Sequence, residues 1–190
     1  MNKGDYGYMN YYKKKHIIAT LIYAAIITVL FLLAHIVTVK IVILVCYVCA
    51  VVLVLPGAKH AVAVIVVLPY HTMDEQSIED LDEHTRELEY GIAVYDVTLA
   101  SEEGIMYAPY LYLTKGRIYC LVLNITAKTS LDSVKQYLSK ILIDAGLVMD
   151  IVMVHNISEM NKLLEEMEDD SETNMELLNK TKEQILIYNV

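Results

Sequence analysis

Residues 17–70 read IIATLIYAAIITVLFLLAHIVTVKIVILVCYVCAVVLVLPGAKHAVAVIVVLPY, and in that stretch only Lys40 and Lys59 carry a formal charge. One helical crossing of a bilayer takes about 20 apolar residues. The stretch is too long for a single buried core helix and long enough for two crossings. The first is expected over residues 17–37. Thr38, Val39 and Lys40 make a tight turn, and the second begins near Ile41. Pro56-Gly57 is a candidate stop for it. Proline is tolerated in membrane helices, however, and the preferred reading carries the helix through Pro56 towards Tyr70. Lys59 then lies about 27 Å along the helix, near the second interface, where a lysine can snorkel into the headgroups.

Charge is divided sharply along the chain. Up to Met73 the balance is +5, and from Asp74 to Val190 it is −14. An anchor followed by an acidic soluble domain accounts for this. So acidic a domain is not expected to bind nucleic acid, whose phosphates demand concentrated Lys and Arg. It is expected to project from an anionic leaflet rather than lie on it. Lys3, Lys13, Lys14, Lys15 and Lys59 flank the open end of the hairpin, and Lys40 alone marks the turn. The positive-inside rule then places both termini in the cytoplasm. A cytoplasmic (inner) membrane, multi-pass location follows, with Lys13, Lys14, Lys15, Lys40 and Lys59 as membrane-interface residues. The apolar stretch is too long for a signal peptide, and a second follows it directly.

Residues 1–16 are expected to be a cytosolic flank and residues 71–90 an exposed helical linker. Residues 91–190 are expected to form an α+β domain, giving the soluble part the order α-β-β-β-α-β-α-α. Strand character falls at residues 92–100, 105–114 and 117–124. Pro109 suggests an edge or a bulge in the second strand, and Lys115-Gly116 makes a hairpin turn. The continuous apolar run 118–123 suits a central strand covered on both faces. Thr129 with Asp132 caps a helix whose stripe is Leu131, Val134, Leu138, Ile141 and Leu142. A fourth strand at 149–155, a helix begun by Asn156 and a last helix near 173–183 complete the domain.

Chemistry is sparse. Cys46-x-x-Cys49 has redox spacing, but apolar neighbours would suppress its reactivity. Cys120 sits in the most apolar strand and reads as core. His71, His84 and His155 have no ligand spacing around them, and no phosphate loop, nucleophile elbow or zinc signature occurs. No cofactor is therefore expected. Fifteen Tyr stand against one Phe and no Trp. Tyr110 and Tyr112 share a strand face, which is a candidate interaction face or, more simply, a Tyr-built core.

The strand and helix order resembles the core of the restriction-endonuclease-like superfamily. That resemblance implies an acid on the second strand and Glu-x-Lys on the third, and neither is present. Asp96 falls one strand early, and Glu102 and Glu103 fall in the turn. The runs Tyr11-Tyr12-Lys13-Lys14-Lys15-His16-Ile17-Ile18-Ala19-Thr20, Leu55-Pro56-Gly57-Ala58-Lys59 and Gly104-Ile105-Met106-Tyr107-Ala108-Pro109 look like those of bacterial two-span membrane proteins with a small cytosolic α+β domain. That likeness implies an architecture and no activity. The functional expectation is a membrane-anchored interaction or regulatory module without evident catalysis. Its partners are expected to be the lipid bilayer and either a protein or a second copy of the chain. The alternatives are a diverged nuclease-like hydrolase and an oligomeric pore or membrane effector.

Overall fold

The computed structural model describes residues 1–86, 88, 91–101, 104–123, 130–167 and 174–189. Among these residues the chain is mixed α+β, with six helices and a four-stranded sheet. It divides into two units, Met9–His71 and a second made of Met1–Tyr8 with Thr72–Val190.

The first unit holds two long helices, α1 (Tyr8–Ile36) and α2 (Lys40–Val67). Both are long and apolar enough to cross a membrane. Only 6% and 11% of their most apolar windows are buried, whereas the core helix of a soluble protein is covered on most sides. Leu21, Ile36, Ile41, Leu55 and Ile65 are all exposed. At 1.5 Å per residue the helices measure about 43 and 42 Å, more than the roughly 30 Å hydrocarbon thickness. Helix α2 runs unbroken through Pro56, so the Pro-Gly pair is not its end. What Gly57 supplies is proximity, because a Cβ there would sit 3.2 Å from the Cβ of Tyr23 on α1. Ala50 is fully buried, whereas Ala24 and Ala25 are exposed.

The second unit is a three-layer domain. Its sheet has the order β1 (Ile92–Ser101), β2 (Gly104–Thr114), β3 (Arg117–Leu121), β4 (Asp150–Val154). The first three strands are antiparallel neighbours, and β4 runs parallel to β3 after the crossover through α4 (Leu131–Asp144). Helices α4 and α6 (Met175–Ile187) cover one face through Val134, Leu138, Ile141, Leu178 and Ile185. Helices α3 (Glu75–Arg86) and α5 (Ile157–Glu165) cover the other through Ile78, Leu81, Met160 and Leu164.

Helix α3 is therefore packed on the sheet rather than solvated on all sides. Leu81 is fully buried and Ile78 nearly so. Two apolar residues one turn apart on a charged helix suffice to seat it, since each buried Leu or Ile contributes about 1.5–3 kcal/mol. Helix α4 is capped one residue later than the sequence suggests. Ser130 Oγ accepts from the Ser133 amide, while Thr129 lies outside the described residues. Asn156 and Asn174 cap α5 and α6 through their side-chain oxygens. Strand β2 is central, not an edge, so Pro109 must be accommodated inside the ladder.

Candidate functional site

Two positions depart from ordinary strand geometry, and they face each other. On the α4/α6 side of the sheet β1 presents Ile92 and Val94, then Val97 and Leu99; β2 presents Met106 and Ala108, then Leu111 and Leu113. A regular strand keeps one parity on one face. Here the parity slips by one in both strands, at Asp96 and at Pro109. The pairs Tyr95↔Tyr110 and Val97↔Ala108 stay in register on either side, so the two slips cancel. Each residue suits its place. Asp96 has φ of 51°, and Asp is among the few side chains that visit the left-handed region with ease. Pro109 has no N–H to lose from the ladder.

The slip points the Asp96 carboxylate into the domain. It is 1% exposed and accepts hydrogen bonds from Tyr107 Oη at 2.5 Å and Thr72 Oγ1 at 2.8 Å. Thr72 belongs to the segment that follows α2. The N-terminal segment is fixed at the same edge strand. The Tyr95 amide donates to Gly4 O at 3.0 Å, and Tyr6 Oη donates to Met73 O at 3.1 Å. Gly4 has φ of 86° and fits closely between Val94 and Leu186. Asn189 lies further along the same edge. The Thr98 amide donates to Asn189 Oδ1 at 2.8 Å, Leu99 bridges Asn189, and Lys3 Nζ donates to Asn189 O. An edge strand left open is a template for unwanted pairing. Here Gly4 and Asn189 cover it at Tyr95, Thr98 and Leu99.

Burial and nearby carboxylates set the tyrosine chemistry. Burial, then the hydrogen bond to Asp82 (2.8 Å), raises the Tyr95 phenol well above its ordinary range. Burial, then the charge of Asp96, does the same for Tyr107, and burial raises Tyr110. Burial pushes the Cys120 thiol up to about 12. Each group is neutral when protonated, and the folded domain keeps that proton to higher pH than the unfolded chain does. Their contribution to stability is thus complete below about pH 9–10 and is lost as pH rises further. In a phenolate absorbance titration Tyr95, Tyr107 and Tyr110 are expected to ionise only together with loss of the near-UV circular dichroism signal. Smooth titration of every tyrosine with that signal retained would contradict the assignment.

The sequence-derived candidates fall as follows. Tyr110 and Tyr112 do share a face, but that face is interior. They are 0% and 2% exposed beneath α3 and α5, so they build the core and offer no surface. Lys13 is nearly buried. Its Nζ donates to Leu68 O at 3.1 Å and to Tyr70 O, placing a cation on the carbonyls that end α2, where the helix dipole favours it. Lys14, Lys15, Lys40 and Lys59 are exposed. Cys46 is buried and Cys49 exposed. His84 lies 3.5 Å from Glu165, and His155 lies 3.5 Å from Glu159. Asp96 binds hydroxyls, while Glu102 and Glu103 lie outside the described residues. No group of three or more His, Cys, Asp or Glu converges among the described residues. A surface groove of about 720 Å³ runs beside α4, lined by Ser133, Gln136, Tyr137, Lys140 and Asp144. Tyr137 Oη donates across it to Ala100 O at 2.5 Å.

The edge cluster was legible in the sequence only as a lone Asp within an apolar strand. Nothing local connects it to Gly4, Thr72 or Asn189, which are distant in the chain. No family model, curated protein or solved structure matches this sequence.

Proposed function

We propose that this chain is a membrane-anchored interaction module, with α1 and α2 as a transmembrane hairpin and the acidic three-layer domain as its binding part. The observation that carries the reading is the exposure of the apolar side chains on both long helices. Surface of that kind needs lipid or another helix to cover it. The lysine distribution supports both termini in the cytoplasm. Lys14, Lys15 and Lys59 are exposed near the open end, with Lys40 alone at the turn; Lys13 serves the α2 terminus instead. A cytoplasmic membrane is the location proposed with this orientation.

The domain supports binding rather than turnover. The buried Asp96 carboxylate accepts from the hydroxyls of Tyr107 and Thr72 and fixes chain segments in place. The partner is a protein or a second copy of the chain, because the domain's balance of −14 opposes nucleic acid.

Affinity purification of the full chain from detergent extract, followed by mass measurement of the intact complex, tests this. A stoichiometric protein partner or a self-oligomer is expected. A strictly monomeric protein recovered alone would overturn the proposal.

A further inference from the structure

His16 on α1 and His60 on α2 meet across the helix pair with their Nδ1 atoms 2.9 Å apart. Tyr12 lies against His16 with ring centroids at 4.3 Å, and Tyr23 stacks on His60 at 5.7 Å. The aromatic rings hold both imidazoles in place, and Gly57 gives Tyr23 room to do so. Both imidazoles are only partly buried, and His16 is one turn along α1 from Lys13, which caps the end of α2. With Lys15 and Lys59 beside it in sequence, the pair sits among the interface lysines, where headgroups and their water reach it.

We propose that His16 and His60 form a two-nitrogen site for a late first-row divalent metal ion, with Cu²⁺ the best fit. Two imidazole nitrogens bound to one ion at about 2.0 Å and a right angle are about 2.9 Å apart. This is the observed separation. A right-angle arrangement with nitrogen and oxygen donors is the tetragonal preference of Cu²⁺, which also heads the divalent affinity order. In the metal-free pair one Nδ1–H donates to the other Nδ1. To admit the ion that ring only has to carry its proton on Nε2 instead, so two neutral ligands face the metal.

Residues 9–71 contain no Asp or Glu, so the remaining positions fall to water or to phosphate oxygens of lipid headgroups. Exposed Lys15 and Lys59 beside the pair oppose a bare cation and favour those anionic co-ligands.

The test is titration of the purified full chain in detergent micelles with Cu²⁺ alone. One equivalent should bind, with an electron paramagnetic resonance spectrum coupled to two nitrogens. His16→Ala and His60→Ala should each weaken binding at least about tenfold, while His71→Ala and His155→Ala should not change it. Equal affinity in the His16→Ala/His60→Ala variant would overturn the proposal. The wild-type protein gives a second readout that does not depend on folded variants. Substoichiometric Cu²⁺ should broaden the imidazole signals of His16 and His60 before those of the other four histidines, and the reverse order would overturn the site.

Discussion

Asp96→Ala is expected to lower the melting temperature of the three-layer domain by roughly 10 °C or more, read by near-UV circular dichroism of its tyrosines in the full chain. The substitution removes the acceptor for two hydroxyls, Tyr107 Oη and Thr72 Oγ1, at a site that is 1% exposed. Depriving a buried donor of its partner costs about 1–3 kcal/mol each. It also leaves an alanine at φ of 51°, where a Cβ without a polar group to bond locally costs a further 1–2 kcal/mol or so. The sum of about 3–8 kcal/mol, at roughly 3–4 °C per kcal/mol for a domain of this size, gives a drop of at least about 10 °C. Asp96→Asn should cost far less. Asn is at ease in the left-handed region, and its amide can accept from one hydroxyl and donate to the other. Equal losses for Ala and Asn would show that the negative charge, not the backbone and the two hydrogen bonds, is what the site needs. Because Thr72 is one of the two donors, amide exchange around Thr72 and Met73 should quicken in Asp96→Ala before the rest of the domain opens.

The second large effect is expected at Gly91, just before β1. A Cβ built there collides with the phenol end of Tyr112, closest to Oη and Cζ and 2.9 Å from Cε1. Tyr112 is 2% exposed within the cluster under α3 and α5, so its ring has no empty space to enter. Overpacking of this kind costs about 1–3 kcal/mol and occasionally more. Gly91→Ala should sit near the top of that range, and Gly91→Val beyond it. Tyr112→Phe removes Oη, the nearest atom. The Gly91→Ala/Tyr112→Phe chain should therefore be more stable than the two single changes predict by addition, with a coupling of about 1 kcal/mol. Strict additivity would mean that the ring swings aside freely and that the close approach carries no constraint.

Both effects depend on contacts that local pattern does not reveal. The sequence placed an apolar pair of helices, a turn at Thr38–Lys40, four strands and four further helices, because those elements are written in hydrophobic period, charge and cap residues close together in the chain. Pro109 was legible as an irregularity. Its cause was not, because the slip at Pro109 is matched by one at Asp96, and only pairing across the two strands shows that the slips cancel. Tyr110 and Tyr112 show the same limit. A strand face of two tyrosines is equally consistent with a surface and a core until the helices above it are seated. Here the short helix α3 decided it, by covering the face with Ile78 and Leu81.

The lysines divide along the same line. Their number on each side of the apolar stretch is a property of the sequence and supports the orientation proposed above. That Lys13 is spent on the carbonyls of Leu68 and Tyr70 is a property of the packed helix pair. The apolar block by itself determined that two helices here are long and greasy enough to cross a membrane, because transfer out of water depends on composition and length alone. Tertiary structure decided that His16 meets His60, that Gly4 and Asn189 close the edge of β1, and that Asp96 holds the chain leaving α2. Those contacts join residues tens to nearly two hundred positions apart, and directional hydrogen bonds between such residues exist only once the backbone has been brought together.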